Sequence, residues 1–146
     1  MSLIHKLYNF AVPEQELIEI YILYIRSVLE SSAVVWNSSL TKGQELELER
    51  VQKVALRIIF KDQYESYESA LLKSSLLTLK ERRDALSLSF AQKCLKSERT
   101  SYLFPLNSAP YYTRNGEKFF VTKAKSSRLA KSAIPHMQRL LNLGNK

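Results

Sequence analysis

Arg50, Lys53 and Arg57 stand at i, i+3 and i+7, the spacing that brings three side chains onto one face of a helix. Such a row of cations suits a phosphate backbone. The competing reading is a solvated face on which these charges pair with Glu45, Glu47 and Glu49, each pair contributing about 0.2–0.5 kcal/mol. A second set lies near the C-terminal end: Arg114, Lys118, Lys123, Lys125, Arg128, Lys131 and Arg139, interleaved with Tyr111, Tyr112, Phe119 and Phe120. Cations neutralise phosphates and release counterions, and exposed aromatic rings stack on unpaired bases. Residues 101–146 carry eight lysines and arginines against one acid, whereas residues 1–100 carry 14 against 13. Internal pairing cannot absorb the C-terminal excess, which leaves nucleic-acid contact or a solubilising basic arm.

Other chemistry has few residues to draw on. Two-metal phosphoryl transfer needs carboxylates that converge within a few ångströms. Asp62 and Asp84 are the two aspartates, and neither has an acidic neighbour within two residues. His5 and His136 lie at opposite ends and Cys94 is the single cysteine, so a His/Cys metal site lacks ligands. No nucleophile-elbow motif, helical His-Glu pair or glycine-rich phosphate loop is present; Gly43, Gly116 and Gly144 are far apart. No independent catalytic activity, metal or cofactor is expected, nor a small-molecule substrate. The lone Cys94, inside an apolar helical run, reads as a small buried side chain in a reducing compartment. The apolar runs are broken by Glu19, Arg26 and Glu30, far short of the roughly 20 residues that cross a bilayer. The N-terminus lacks a secretory pattern. An intracellular location, nuclear or cytoplasmic, follows, without a membrane partner.

The elements that position these residues are helical. Few glycines and prolines and 45% hydrophobic residues argue for an α-rich globular body. Residues 2–10 read as the end of one helix. Pro13, Glu14 and Glu16 open a second, in which Leu17, Ile20, Tyr21, Tyr24, Ile25, Val28 and Leu29 form an apolar stripe widened by Ile18, Ile22 and Leu23, predicting burial on most sides. Trp36 reads as a core anchor between this helix and the next, with stacking on a base as the alternative. Thr41 with Gln44 has capping-box spacing at the head of the third helix, whose inner stripe is Val51, Ala55, Ile58 and Ile59. A short helix at 67–72 follows. Thr78 with Glu81 then caps a long helix to about Ser97, and of Arg82 and Arg83 one is expected to face solvent. Residues 101–117 read as an irregular linker, 118–125 as a short strand or extended arm, and 132–143 as a last helical turn or two starting at Pro135. The expected architecture is mainly α: a four- or five-helix domain over residues 1–100, then a basic, aromatic-containing extended arm over 101–146 with a short C-terminal helix.

The order and spacing of 24–30 (YIRSVLE), 35–42 (VWNSSLTK) and 49–59 (ERVQKVALRII), continued by 79–83 (LKERR), 132–135 (SAIP) and 139–142 (RLLN), resemble one family over nearly the whole chain. The chain is similar to the C-terminal region of the reverse transcriptase polyprotein of non-LTR (LINE-type) retrotransposons. It departs from that pattern at Val54, where a basic residue is common, at Asn37, where histidine is usual, and at Ser31, where an aromatic is usual. The resemblance implies an RNA-directed DNA polymerase whose palm, with its paired aspartates, would lie upstream of Met1, and a truncation on that side. It further implies a non-catalytic tail that helps to hold template RNA or target DNA. The residues expected to do so are Lys123, Lys125, Arg128, Lys131 and Arg114, with Arg50, Lys53 and Arg57. Two alternatives stay open: a structural module docking on the upstream polymerase through Leu3, Ile4, Leu7, Ile18 and Ile22, or a relict reading frame without selected function.

Overall fold

Side-chain caps open the two longest helices. The computed structural model describes Ile4, Lys6, residues 12–108 and residues 118–143, and is mainly helical, with no strand among the described residues. In chain order the helices are α1 (Glu14–Ile20), α2 (Ser27–Glu30), α3 (Ala33–Trp36), α4 (Lys42–Phe60), α5 (Tyr67–Ser74), α6 (Leu79–Lys96), α7 (Ser127–Ala130) and α8 (Ala133–Leu143). No helix among the described residues is long and apolar enough to cross a membrane. The chain forms two compact units, one of Met1–Ser31 with Thr41–Arg82, the other of Ser32–Leu40 with Arg83–Lys146. The sequence suggests instead a boundary near residue 100.

In the first unit, Pro13 precedes α1 and its carbonyl accepts from Leu17 N–H at 3.1 Å. Between α1 and α2 the backbone adopts a π-helical stretch, Tyr21–Arg26. Its wider turns shift the buried face. Leu17, Ile18 and Tyr21 are therefore buried and Ile22 and Ile25 pack against them, while Leu23, Tyr24 and Val28 point outward with two thirds or more of their surface exposed. The expectation of a helix buried on most sides is corrected at these three positions. The docking surface read from the sequence is corrected too: Ile4 and Ile18 belong to this unit's own core, and Ile22 packs on it. Leu3 and Leu7 lie outside the described residues.

Helix α4 is the spine of this unit. Thr41 and Gln44 close the predicted capping box, each side chain satisfying a backbone N–H of the other. Ala55, Leu56, Ile59 and Phe60 enter the core with Ala70 of α5, whereas Val51 and Ile58 are only half-buried. Ser66 caps α5 by accepting from Ser69 N–H at 3.1 Å. Ser75 ends it in the left-handed conformation, φ 55°, with Leu76 N–H reaching back to Leu71 O at 3.0 Å. Thr78 and Glu81 form the second predicted capping box, at the head of α6.

Helix α6 passes from the first unit into the second after Arg82. There Ala91, Cys94, Phe104, Phe119, Met137 and Leu141 form the core, with Val34, Leu88 and Ile134 packed on it. Cys94 is buried, as its apolar surroundings in the sequence imply. Ser132 precedes α8, which runs for eleven residues rather than the expected turn or two. Its length serves the segment beside it. Asn142 Oδ1 accepts from Phe119 N–H at 2.9 Å and its Nδ2 donates to Phe119 O at 3.0 Å. Gln138 Oε1 accepts from Thr122 N–H, and its Nε2 donates to Leu103 O, both at 2.8 Å. Two amide side chains thus supply hydrogen bonds that a neighbouring strand would give, beside one isolated antiparallel bridge among the described residues, Leu106 to Phe119.

Candidate nucleic-acid interface

On α4, Lys42, Leu46, Arg50, Lys53 and Arg57 are all exposed. At 3.6 residues per turn they fall within an arc of about 80°, in a stripe about 22 Å long. Of the carboxylates expected to neutralise this face, Glu49 is engaged elsewhere, Glu47 is engaged weakly and Glu45 forms no ion pair among the described residues. Tyr67 donates its hydroxyl to Glu49 Oε1, which also accepts from Leu79 N–H at 3.2 Å. Glu47 pairs with Arg50 at 3.8 Å, with both side chains largely in solvent, a geometry that contributes little. Lys53 Nζ lies 4.9 Å from the centroid of the Tyr67 ring. Lys42 and Arg57 have no ion pair among the described residues. The solvated, internally paired face weighed from the sequence is therefore reduced to a single weak pair.

What holds α4 in place was less visible in the sequence. Gln52 is fully buried at the centre of a hydrogen-bonded chain: Tyr21 donates to its Oε1 at 2.8 Å, and its Nε2 donates to Tyr67 Oη and to Leu77 O, both at 2.9 Å. Burial, together with smaller effects of neighbouring carboxylates, pushes the Tyr21 phenol well above its ordinary value. Burial first, and then the bond to Glu49, do the same to Tyr67. A glutamine on an otherwise apolar stripe was the available signal. Two arginines clamp Glu30 in the same unit, Arg26 at 3.5 Å and Arg82 at 3.1 Å.

In the second unit Lys123, Lys125, Arg128 and Lys131 are exposed, the latter two on and just after α7. Arg139, also exposed, donates to Ala130 O at 2.8 Å. Arg114, Tyr111 and Tyr112 lie outside the described residues. Phe119 is corrected from a stacking candidate to a core residue, since it is buried against Phe104 and Met137; Phe120 remains exposed.

A polar cluster in this unit escaped the sequence reading. Arg83 is 1% exposed, so the adjacent arginines are not divided between groove and solvent as expected. Its Nε donates to Asn37 Oδ1 at 2.9 Å, and Asn37 Nδ2 donates to Asp84 Oδ1 at 2.8 Å. His136 Nε2 lies 3.3 Å from the same carboxylate oxygen. The Arg83 guanidinium is 5.9 Å from the Trp36 ring centroid, and Trp36 is half-buried rather than a fully enclosed core anchor. Arg83 Nη2 and Ser38 Oγ are buried without a hydrogen bond. The imidazole and carboxylate could orient a proton relay, but no serine or cysteine side chain among the described residues is hydrogen-bonded to His136. Among the described residues no group of three or more His, Cys, Asp or Glu is arranged to hold a metal ion.

No known protein family, characterised protein or solved structure matches this chain.

Proposed function

We propose that the chain is a non-catalytic nucleic-acid-binding module, similar in role to the tail of a LINE-type reverse transcriptase polypeptide, that helps to hold template RNA or target DNA. The observation that carries this reading is the exposed stripe on α4, where Lys42, Arg50, Lys53 and Arg57 line up with one weak internal pair among them. Cations so placed contact phosphates without reading bases, which gives binding tolerant of sequence and sensitive to salt. Lys123, Lys125, Arg128 and Lys131 supply further exposed positive charge in the second unit. Fluorescence anisotropy with labelled single-stranded RNA and DNA tests the reading. Replacing Arg50, Lys53 and Arg57 together by glutamine is expected to weaken binding of every sequence by at least tenfold at low salt, about 1.4 kcal/mol. Unchanged affinity in that variant would remove α4 from the interface.

A second reading is a structural module covered by a larger polypeptide. The exposed trio Leu23, Tyr24 and Val28 favours it, in place of the buried Ile4 and Ile18. Self-association that rises with concentration and disappears in Tyr24→Lys is its expected signature.

A further inference from the structure

At the N-terminal end of the α4 stripe lies an open depression of about 400 Å³, bounded by Lys42, Glu45, Leu46, Glu49, Thr78 and Lys80. That size falls within the range of small-molecule sites. Its surface is mostly apolar, and Leu46, 67% exposed, is its aliphatic wall. Two cations, Lys42 and Lys80, flank it. The two carboxylates differ in availability. Glu49 Oε1 already accepts from Tyr67 and from Leu79 N–H, whereas Glu45 has no ion pair or side-chain hydrogen bond among the described residues. The N-terminal turns of α4 and α6 are closed by their own capping boxes, so their backbone N–H groups are not what a ligand would meet first.

These features restrict the occupant. An acidic peptide would set its carboxylates against Glu45 and Glu49. A basic one would meet Lys42 and Lys80, and a purely apolar one would cover Glu45 without a donor for its oxygens, which is costly. A nucleotide fits all the requirements at once: an apolar ring face, an amino edge that donates, and a phosphate for the lysines. The depression is also continuous along α4 with the cations that the phosphates of a strand would follow.

We propose that this depression takes one unpaired amino-bearing base of a bound single strand, with the ring against Leu46 and the lysine stems, the exocyclic amine donating to Glu45, and the neighbouring phosphates on Lys42 and Lys80. Cytosine and uracil are of equal size but present opposite groups at position 4, an amine against a carbonyl. The carbonyls on either side of the uracil ring N–H repel a carboxylate. The site therefore discriminates between two pyrimidines that any purely electrostatic groove treats alike.

The inference rests on the nucleic-acid reading above, and the test separates the two. Oligo(C) and oligo(U) RNAs of equal length are titrated by anisotropy against the full chain, with Glu45→Ala and Leu46→Ser as variants at exposed or half-exposed positions. The expected result is that oligo(C) binds about five- to tenfold more tightly than oligo(U), as one good base-edge contact allows. Glu45→Ala brings the ratio to near one, and Leu46→Ser weakens oligo(C) several-fold without changing its salt slope, because no cation is lost. Equal affinity for the two RNAs, or a preference untouched by both variants, would overturn the base site while leaving phosphate binding intact. Absence of binding to either RNA at low salt would overturn both readings.

Discussion

Arg83 shows how a single buried charge can be held by a neutral neighbour. Asn37 bonds both Arg83 and Asp84, accepting from the first and donating to the second. Removing it takes from the buried Arg83 the acceptor of its Nε and from the half-buried Asp84 one donor. Asn37→Ala is therefore expected to cost about 2–3 kcal/mol in chemical denaturation. Arg83→Met removes a guanidinium whose Nη2 is already unsatisfied, and is expected to cost less. The reverse order would mean that Arg83 is held by something other than Asn37. The tyrosines of the first unit make a pH prediction. Tyr21 and Tyr67 both titrate above the ordinary value of 10.0 in the folded chain. Between the unfolded and folded values the unfolded state has lost a proton that the folded state keeps, so stability falls as pH rises. Their contribution is complete below about pH 10 and is lost above it, and denaturation midpoints measured from pH 8 to 11 should decline most steeply at the alkaline end. Tyr21→Phe should flatten that decline, although it gives up one hydrogen bond.

Among the elements, the two helices that open with a capping box were legible in the sequence, and the features shaped by tertiary partners were not. Thr41 with Gln44 and Thr78 with Glu81 mark the starts of α4 and α6 because a capping box is built from residues three apart. The π-helical stretch at Tyr21–Arg26 has no such local signature, and the regular 3.6-residue period therefore assigned Tyr24 and Val28 to the wrong side. The basic row on α4 was visible from spacing alone. That Glu49 is occupied was not, because it is engaged by Tyr67 and by the backbone of Leu79, far along the chain. The same distance hid the Asn37, Asp84 and His136 cluster. The extended segment after residue 117 was β-prone in sequence, but its hydrogen bonds are divided between one isolated bridge to Pro105 and Asn107 and the side chains of Asn142 and Gln138. One element carries a local cost that can be relieved. Ser75 holds φ 55° at the end of α5, where glycine is favoured. Ser75→Gly is expected to stabilise the chain by about 0.5–1 kcal/mol, read as a raised denaturant midpoint with unchanged slope. A loss of stability would show that the serine side chain has a compensating bond.

Over the whole molecule, each of the two compact units has its own apolar core, and each carries exposed cations on its own elements. Lys42, Arg50, Lys53 and Arg57 belong to the first; Lys123, Lys125, Arg128 and Lys131 belong to the second. The net charge of +8 lies almost wholly in residues 101–146, whereas the α4 row stands out by its geometry and not by a local excess of charge. A row fixed on a helix gives a defined number of phosphate contacts, whereas scattered charge gives a diffuse attraction. The salt dependence of binding counts those contacts, since each phosphate neutralised on a single strand contributes about 0.7 to the slope of log affinity against log salt. The decisive measurement is this slope for labelled single-stranded RNA, taken over a salt series with the chain and with its Arg50, Lys53 and Arg57 to glutamine variant. A slope of about −2 or steeper, made shallower by about 2 in the variant, is the expected result. Binding no tighter than micromolar at low salt, or a slope that the three substitutions leave unchanged, would contradict a nucleic-acid role for α4.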